Sequence, residues 1–331
     1  MTFSTLAILA ALIAGAADDP GPTPEAIRQS VEKALPLILA STAEYPKHRD
    51  CFSCHHQAVP ALALATAKER GFAVDAQAIA GLVENAEADL RGAIASYKKG
   101  EGQGGGVTRA GYALLTLEIG GKPADDVTDA VLVFLMKRDD SRGYWQASSN
   151  RPPSEASDAT ATYLAVRALS TFGKPDAKDQ IAARIAKARD WLISAKPKDT
   201  EDRVFRLHAL KASHAPAEIV KKEADGLLAT RRADGGWAQG DGGESDAYAT
   251  GTALVALHQA GGLATGDPIY LAALRFLIGS QRADGSWFVK SRSKPFQPYF
   301  ESGFPYGKDQ FISMAASAWA MTALAMASPK P

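Results

Sequence analysis

The chain has 331 residues, 46% hydrophobic and 22% charged, a globular composition that excludes a disordered protein. Lys and Arg total 37, as do Asp and Glu, so the net charge is zero and the basic excess of a nucleic-acid binder is missing. Two cysteines are too few for a disulfide scaffold, and no stretch beyond the N-terminus reaches the ~18 apolar residues of a membrane span.

Residues 1–16 read as a secretory signal peptide. The apolar run 6–14 leads into Ala14-Gly15-Ala16 and then the polar Asp18-Asp19-Pro20, so cleavage is expected after Ala16. The first five residues carry no Lys or Arg, a departure from the usual pattern; a buried N-terminal helix is the alternative. Export would place the protein in the periplasm or outside the cell, where thiols can be oxidised or covalently loaded.

Residues 17–331 alternate two kinds of helical segment. Segments 58–67, 110–119, 159–169, 247–260 and 312–325 are Ala-rich and apolar nearly all round, so they must be enclosed. The others are amphipathic: in 178–194, Ile181, Ile185, Ala188 and Leu192 share a face while Arg184, Lys187 and Asp190 turn away. Surface helices start near Thr23, Asp75, Pro123, Asp176, Pro216 and Pro268. Enclosed helices start near Cys54, Gly106, Ser157, Glu201, Ser245 and Asp309. Six such pairs predict an all-α fold, an (α/α)6 toroid of two concentric helix rings. The repeat makes 17–331 one domain, against the two that length alone suggests. Pro216 and Pro268 suit first-turn positions, and Ser157 and Ser245 suit N-caps.

The first enclosed helix opens on Cys51-Phe52-Ser53-Cys54-His55, the C-x-x-C-H signature of covalent c-type haem attachment. Two thiols at this spacing add across the haem vinyl groups, and the following His supplies a nitrogen to iron. Cys51, Cys54 and His55 are therefore the expected haem c ligands, one haem per chain. Three other readings stand beside it: a Cys51–Cys54 disulfide, a zinc site using the thiolates with His55 or His56, and a thioredoxin-like pair lacking its βαβ context. His56 reads equally as a first-turn polar residue or as a group that touches a haem propionate or supports the iron-bound imidazole. His48, His208, His214 and His258 read as solvated or satisfied, and Arg109, Arg203 and Arg206 as structural ion pairs or anion contacts.

Further along, Asp125-Asp126-Val127-Thr128-Asp129 spells D-D-x-x-D, which in class I terpenoid synthases holds Mg²⁺ against a diphosphate. It opens a surface helix, where acids offset the helix dipole, and that is the preferred reading.

The turns between pairs repeat. Arg231-Arg232-Ala233-Asp234-Gly235-Gly236-Trp237 recurs as Gln281-Arg282-Ala283-Asp284-Gly285-Ser286-Trp287, with a weaker copy over residues 137–146. Asp-Gly supplies the left-handed turn that ends a helix, and the Trp can cover the exposed helix end. Over residues 100–327 the chain resembles the squalene–hopene cyclase and protein prenyltransferase superfamily, whose repeats carry Q-x-x-D-G-x-W. The resemblance implies an α/α toroid with a central apolar cavity for isoprenoid or lipid-like molecules. It does not bring the cyclase acid. In Glu155-Ala156-Ser157-Asp158 and Gly243-Glu244-Ser245-Asp246, Ser stands where the family's D-x-D-D motif has its proton donor. Asp158, Asp246, Asp202 and Asp309 read instead as acids that offset helix dipoles. The zinc site of the prenyltransferases is also missing, since no Cys follows Cys54.

The last loop, 286–308, holds Phe288, Phe296, Tyr299, Phe300, Phe304 and Tyr306 among Pro295, Pro298 and Pro305, an aromatic load that argues for a lid or binding loop. It leads into the sixth enclosed helix, a neighbour of the first by ring closure, so Met314 is the candidate distal iron ligand; core filling is the alternative. These residues predict an exported haem c protein on a toroid, active in electron transfer or redox chemistry, with a redox partner protein and an apolar small molecule as expected partners. The alternatives are a terpenoid-cyclase-like enzyme or lipid-binding toroid without haem, and a non-catalytic interaction module.

Overall fold

A computed structural model of the chain describes residues 21–49, 51–149, 151–294 and 299–330. The signal-peptide segment 1–16 and Pro295, Phe296 and Pro298 of the last loop lie outside the described residues. Helices pair along the chain: α1 (Pro24–Glu44) with α2 (Val59–Glu69), then α3 (Ala76–Gly92), a short α4 (Ile94–Lys99) and α5 (Gly106–Ile119). Next come α6 (Asp126–Lys137) with α7 (Asp158–Phe172), α8 (Lys178–Ser194) with α9 (Thr200–Ala212), α10 (Ala217–Leu228) with α11 (Ala247–Gln259), and α12 (Pro268–Ser280) with α13 (Gln310–Ala327). The described residues contain no strand beyond a single bridge between Ala238 and Ser245.

Packing separates the two kinds of helix as their composition requires. Helices α2, α5, α7, α9, α11 and α13, all but α9 Ala-rich or apolar nearly all round, pack each on the next, and α13 returns to α2. That closes an inner ring. The amphipathic helices border it outside, and α12 meets α1 across the same seam. Among the described residues one helix is long and apolar enough to cross a membrane, Gly307–Ala327, and it is 89% buried as a wall of the inner ring.

Local chemistry sets the helix starts. Thr23 accepts from Ala26 N ahead of Pro24, Asp75 from Gln77 N, and Ser157 from Thr160 N. Asp125 forms a capping box with Thr128, so the D-D-x-x-D stretch is spent on capping α6. Two caps differ from expectation by one residue. Asp246, not Ser245, caps α11, because Ser245 Oγ donates to Asp234 instead. Pro216 is the N-cap of α10 rather than a first-turn residue.

The repeated turns do one structural job three times. Trp145, Trp237 and Trp287 are fully buried, and each indole N–H donates to a last-turn carbonyl of the outer helix before it: Leu135, Leu227 and Leu277, at 2.8, 3.0 and 2.7 Å. Their backbone N–H groups donate to Thr162, Thr250 and Ser317 on inner helices. Each Trp thus ties an outer helix end to the inner ring and satisfies a carbonyl the helix leaves open. Gly285, at φ +88°, packs so tightly on α1 that an added Cβ would stand 2.1 Å from Lys33 O. Gln281 bonds Ser30 in both directions, so this turn also seals the outer ring at its seam.

Candidate functional site

Inner helix α2 is preceded by a π-helical turn, Cys54–Ala58, whose bonds run from Val59 N to Cys54 O. Pro60 lacks the N–H that an α-ladder would direct at His56 O, and the wider turn falls just before it. Gln57 and Ser53 hold the turn: Ser53 N donates to Gln57 Oε1 at 2.8 Å, and Ser53 Oγ accepts from His56 N.

The two cysteines of the motif, both free thiols, diverge. Cys51 is exposed, with Sγ 3.7 Å from Tyr45 Oη, in a cleft of about 300 Å³ whose walls include Arg49, Phe52, Asn85 and Asp89. Cys54 is buried and donates to Glu155 Oε1 at 3.2 Å, on the loop that enters α7. His55 Nε2 lies 3.6 Å from the same oxygen, 3.6 Å from Cys54 Sγ and 3.4 Å from Ser154 Oγ. Arg151 pairs with the other carboxylate oxygen, Oε2, and so fixes which one faces inward. Burial pushes the Cys54 thiol well up, and Glu155 adds to the push. Burial holds the His55 imidazole below its ordinary value against the pull of Glu155.

A covalently held haem would need these side chains to move apart. Its ring is joined to sulfur at the edge and to imidazole nitrogen at the centre, so half a macrocycle must separate the two atoms. Here they are 3.6 Å apart, with a carboxylate against both and Phe311 facing the imidazole at 6.2 Å. Cys51, on the cleft side, does not join the cluster. Met314 is fully buried on α13, and the aromatic side chain that α13 sets against His55 is Phe311.

His56, which the sequence leaves ambiguous, is a fastening point. It is fully buried, stacks on Tyr45 at 5.0 Å and bonds Ser302 Oγ at 2.8 Å, pinning the last loop to the start of α2. Burial draws its pKa well below the ordinary value. Phe300 of that loop packs on Phe311 and lies under Arg49. Loop and first inner helix therefore meet at the seam, as ring closure predicts.

Further residues converge across the ring interior. Contacts that skip a helix in the ring order cross the lumen, and several do. Burial pushes the phenol of Tyr112 on α5 well up, and Glu201 on α9 adds to the push. Phe205 on α9 meets Trp319 on α13 at 6.3 Å, and the Cys54–Glu155 bond likewise passes over α5, while Tyr163 packs on His208 of the neighbouring helix at 5.1 Å. Glu201 is buried and accepts from Thr160 Oγ1 at 2.9 Å and Tyr248 Oη at 3.0 Å; burial, with Asp199 adding to it, pushes its pKa up to about 8. Burial likewise pushes His208 down to about 3, helped by Arg167. The hydroxyls of Thr108 and Tyr112 and the indole N–H of Trp319 are buried without a hydrogen-bond partner.

The remaining sequence candidates are structural. Ser157 Oγ donates to Asp202 at 2.7 Å while capping α7, and Asp158 accepts from Ala147 N. Asp309 accepts from Ser291 N. Arg109 pairs with Asp89, and Arg206 with Glu223 at 2.7 Å. Sequence reasoning met Glu155 only as part of a failed acid motif and passed over Glu201, Tyr112 and Tyr248. Their shared signal was position, each in the opening turns of an inner helix or just ahead of one.

No protein-family model matches the chain, and no curated protein matches it. Solved structures do. The type II terpene cyclase MstE from Scytonema, in its apo form, is 15% identical with a TM-score of 0.60, covering 93% of this chain and 99% of that one. An Asp-to-Asn variant of MstE in complex with geranylgeranyl dihydroxybenzoate is 14% identical with a TM-score of 0.58, covering 92% and 98%. A protein from Actinoplanes is 14% identical with a TM-score of 0.56, covering 91% and 99%. The chain thus has the helical fold of terpenoid cyclase structures.

Proposed function

We propose that the protein binds an apolar, isoprenoid-like small molecule inside the ring, its polar end toward the side where the inner helices begin. The observation that carries this reading is the set of donors without a partner among the described residues, Tyr112 Oη, Thr108 Oγ1 and Trp319 Nε1, buried on inner helices α5 and α13, with Trp319 against Phe205 and Phe205 against Tyr163. Apolar walls with a few placed polar groups are the make-up of small-molecule sites. Each buried unpaired group costs about 1–3 kcal/mol, which a bound polar atom would recover. The cyclase-like fold, and the geranylgeranyl compound bound to the MstE variant, support the ligand class. Binding is proposed rather than cyclisation. Ser157 and Ser245 cannot protonate an alkene, and Glu201, with a pKa near 8, holds its proton too tightly to do so.

Fluorescence titration with geranylgeraniol tests the reading. The wild type should quench saturably, Trp319→Phe should lose most of the quench at unchanged Tm, and Tyr112→Phe should bind the alcohol more weakly. A linear, unsaturable response, or a quench undiminished in Trp319→Phe, would overturn it.

Covalent haem in an exported protein is the second reading, and the C-x-x-C-H spacing behind a signal-like leader is the observation that favours it. It requires the Cys54, His55 and Glu155 side chains to separate. Acid-resistant Soret and α bands in protein made with a cytochrome maturation system would establish it, and colourless protein would end it.

A further inference from the structure

Cys54, His55 and Glu155 have no part in the ligand reading above, yet their donor atoms all lie within 4.8 Å of one another, the group of that kind found among the described residues. Sγ to Nε2 is 3.6 Å, Sγ to Oε1 3.2 Å and Nε2 to Oε1 3.6 Å. A tetrahedral zinc ion, with bonds of about 2.0–2.3 Å, sets sulfur about 3.5 Å from nitrogen or oxygen, and nitrogen about 3.3 Å from oxygen. The three atoms stand at ligand spacing, and because Sγ is also 3.4 Å from Nδ1, the His55 ring turns on loading to aim its Nε2 lone pair at the ion. A thiol–carboxylate hydrogen bond alone would explain one of these distances, not the convergence of the imidazole on both partners.

We propose that Cys54, His55 and Glu155 form a mononuclear site for a divalent ion of the zinc class, with its fourth position open. Thiolate, imidazole and carboxylate together suit zinc or cobalt, whereas magnesium and calcium demand oxygen ligands throughout. Three protein ligands are the complement of sites that keep a position for water or substrate. Arg151 supports the assignment by occupying Oε2, which leaves Oε1 as a single inward ligand atom. The His55 and Glu155 side chains keep 17% and 10% of their surface accessible, a route for the ion. On loading, Cys54 releases its thiol proton to solvent, His55 coordinates as the neutral ring, and no electron moves. The inference stands on donor spacing and is independent of the isoprenoid reading, whereas covalent haem would take Cys54 and His55 away from it.

The test is Co²⁺ and Zn²⁺ titration of the full chain, followed by metal analysis after dialysis. One ion per chain is expected, with an intense thiolate-to-cobalt charge-transfer band. Cys54→Ser and Glu155→Gln should each weaken Zn²⁺ binding about tenfold or more, and Cys51→Ser should leave it unchanged. Circular dichroism melting of each variant separates ligand loss from misfolding, and the cobalt spectrum of the wild type is read without any variant. A wild type that retains no ion, a cobalt spectrum without the thiolate band, or equal loss in Cys51→Ser and Cys54→Ser would each overturn the site.

Discussion

Two regions of this toroid handle buried polar groups in opposite ways. At the repeated turns, the indole and backbone N–H groups of Trp145, Trp237 and Trp287 are all paired, and the pairing recurs from turn to turn. In the ring interior, by contrast, hydroxyls and an indole N–H find no partner among the described residues, and neither does Glu201 find a cation there. The turns are spent on stability. The interior forgoes stability, as sites built for a ligand commonly do. The difference teaches where to look for function in a repeat protein: where the repeat's own pairing rules lapse.

Four substitutions can break or sharpen that contrast. The largest effect should come from Trp237→Ala, which leaves a cavity and strips the partner from Leu227 O; a loss of about 4–6 kcal/mol is expected in denaturant unfolding. A loss near 1 kcal/mol would refute the clamp role.

Glu201→Gln should act in the other direction and depend on pH. The folded pKa, about 8, lies above the ordinary 4.5, so the folded chain holds more protons between those values. The stability that goes with neutral Glu201 is complete below 4.5 and is lost as pH rises toward 8. Above pH 8 the variant should therefore exceed the wild type by on the order of 3–5 kcal/mol, with little difference at pH 4. Parallel Tm curves for the two proteins across this range would contradict the buried, neutral carboxyl.

Gly285→Ala sharpens the picture of the seam. It forces a Cβ against Lys33 O at a left-handed φ, and a loss of about 2–3 kcal/mol is expected by thermal unfolding. Asp125→Ala should have the smallest effect, about 1 kcal/mol from the lost capping box, and added Mg²⁺ should leave the Tm of the wild type unmoved. A Mg²⁺-dependent rise would return the D-D-x-x-D stretch to a metal-binding role.

The fold was legible because composition and periodicity act locally. An Ala-rich helix such as α11 has to be enclosed, and an amphipathic one such as α8 has to border water, so alternation alone implied two rings. The Asp-Gly-x-Trp turns carried their role in their residues. What escaped was short or non-local. The six residues of α4 are too few for a period to register, and Ser245 lost its cap to its neighbour Asp246 through a side-chain bond to Asp234. The site was half legible. Cys54 and His55 announced themselves, but Glu155 lies a hundred positions away and meets them only because the ring brings the α7 entry loop across from α2. Glu201 was invisible for the same reason: its partners Thr160 and Tyr248 belong to other helix pairs. The C-x-x-C-H spacing states which residues could hold a haem, while the direction in which Cys51 and Cys54 point is decided by Tyr45 and Glu155.

Native mass spectrometry of the full chain with geranylgeraniol tests the ring interior as a binding site most directly. The account predicts a one-to-one adduct that an excess of the shorter prenyl alcohol farnesol displaces and that weakens in Phe205→Ala, whose side chain meets Trp319 across the lumen. A chain that stays unliganded at saturating alcohol, or an adduct equally strong in Phe205→Ala, would contradict it.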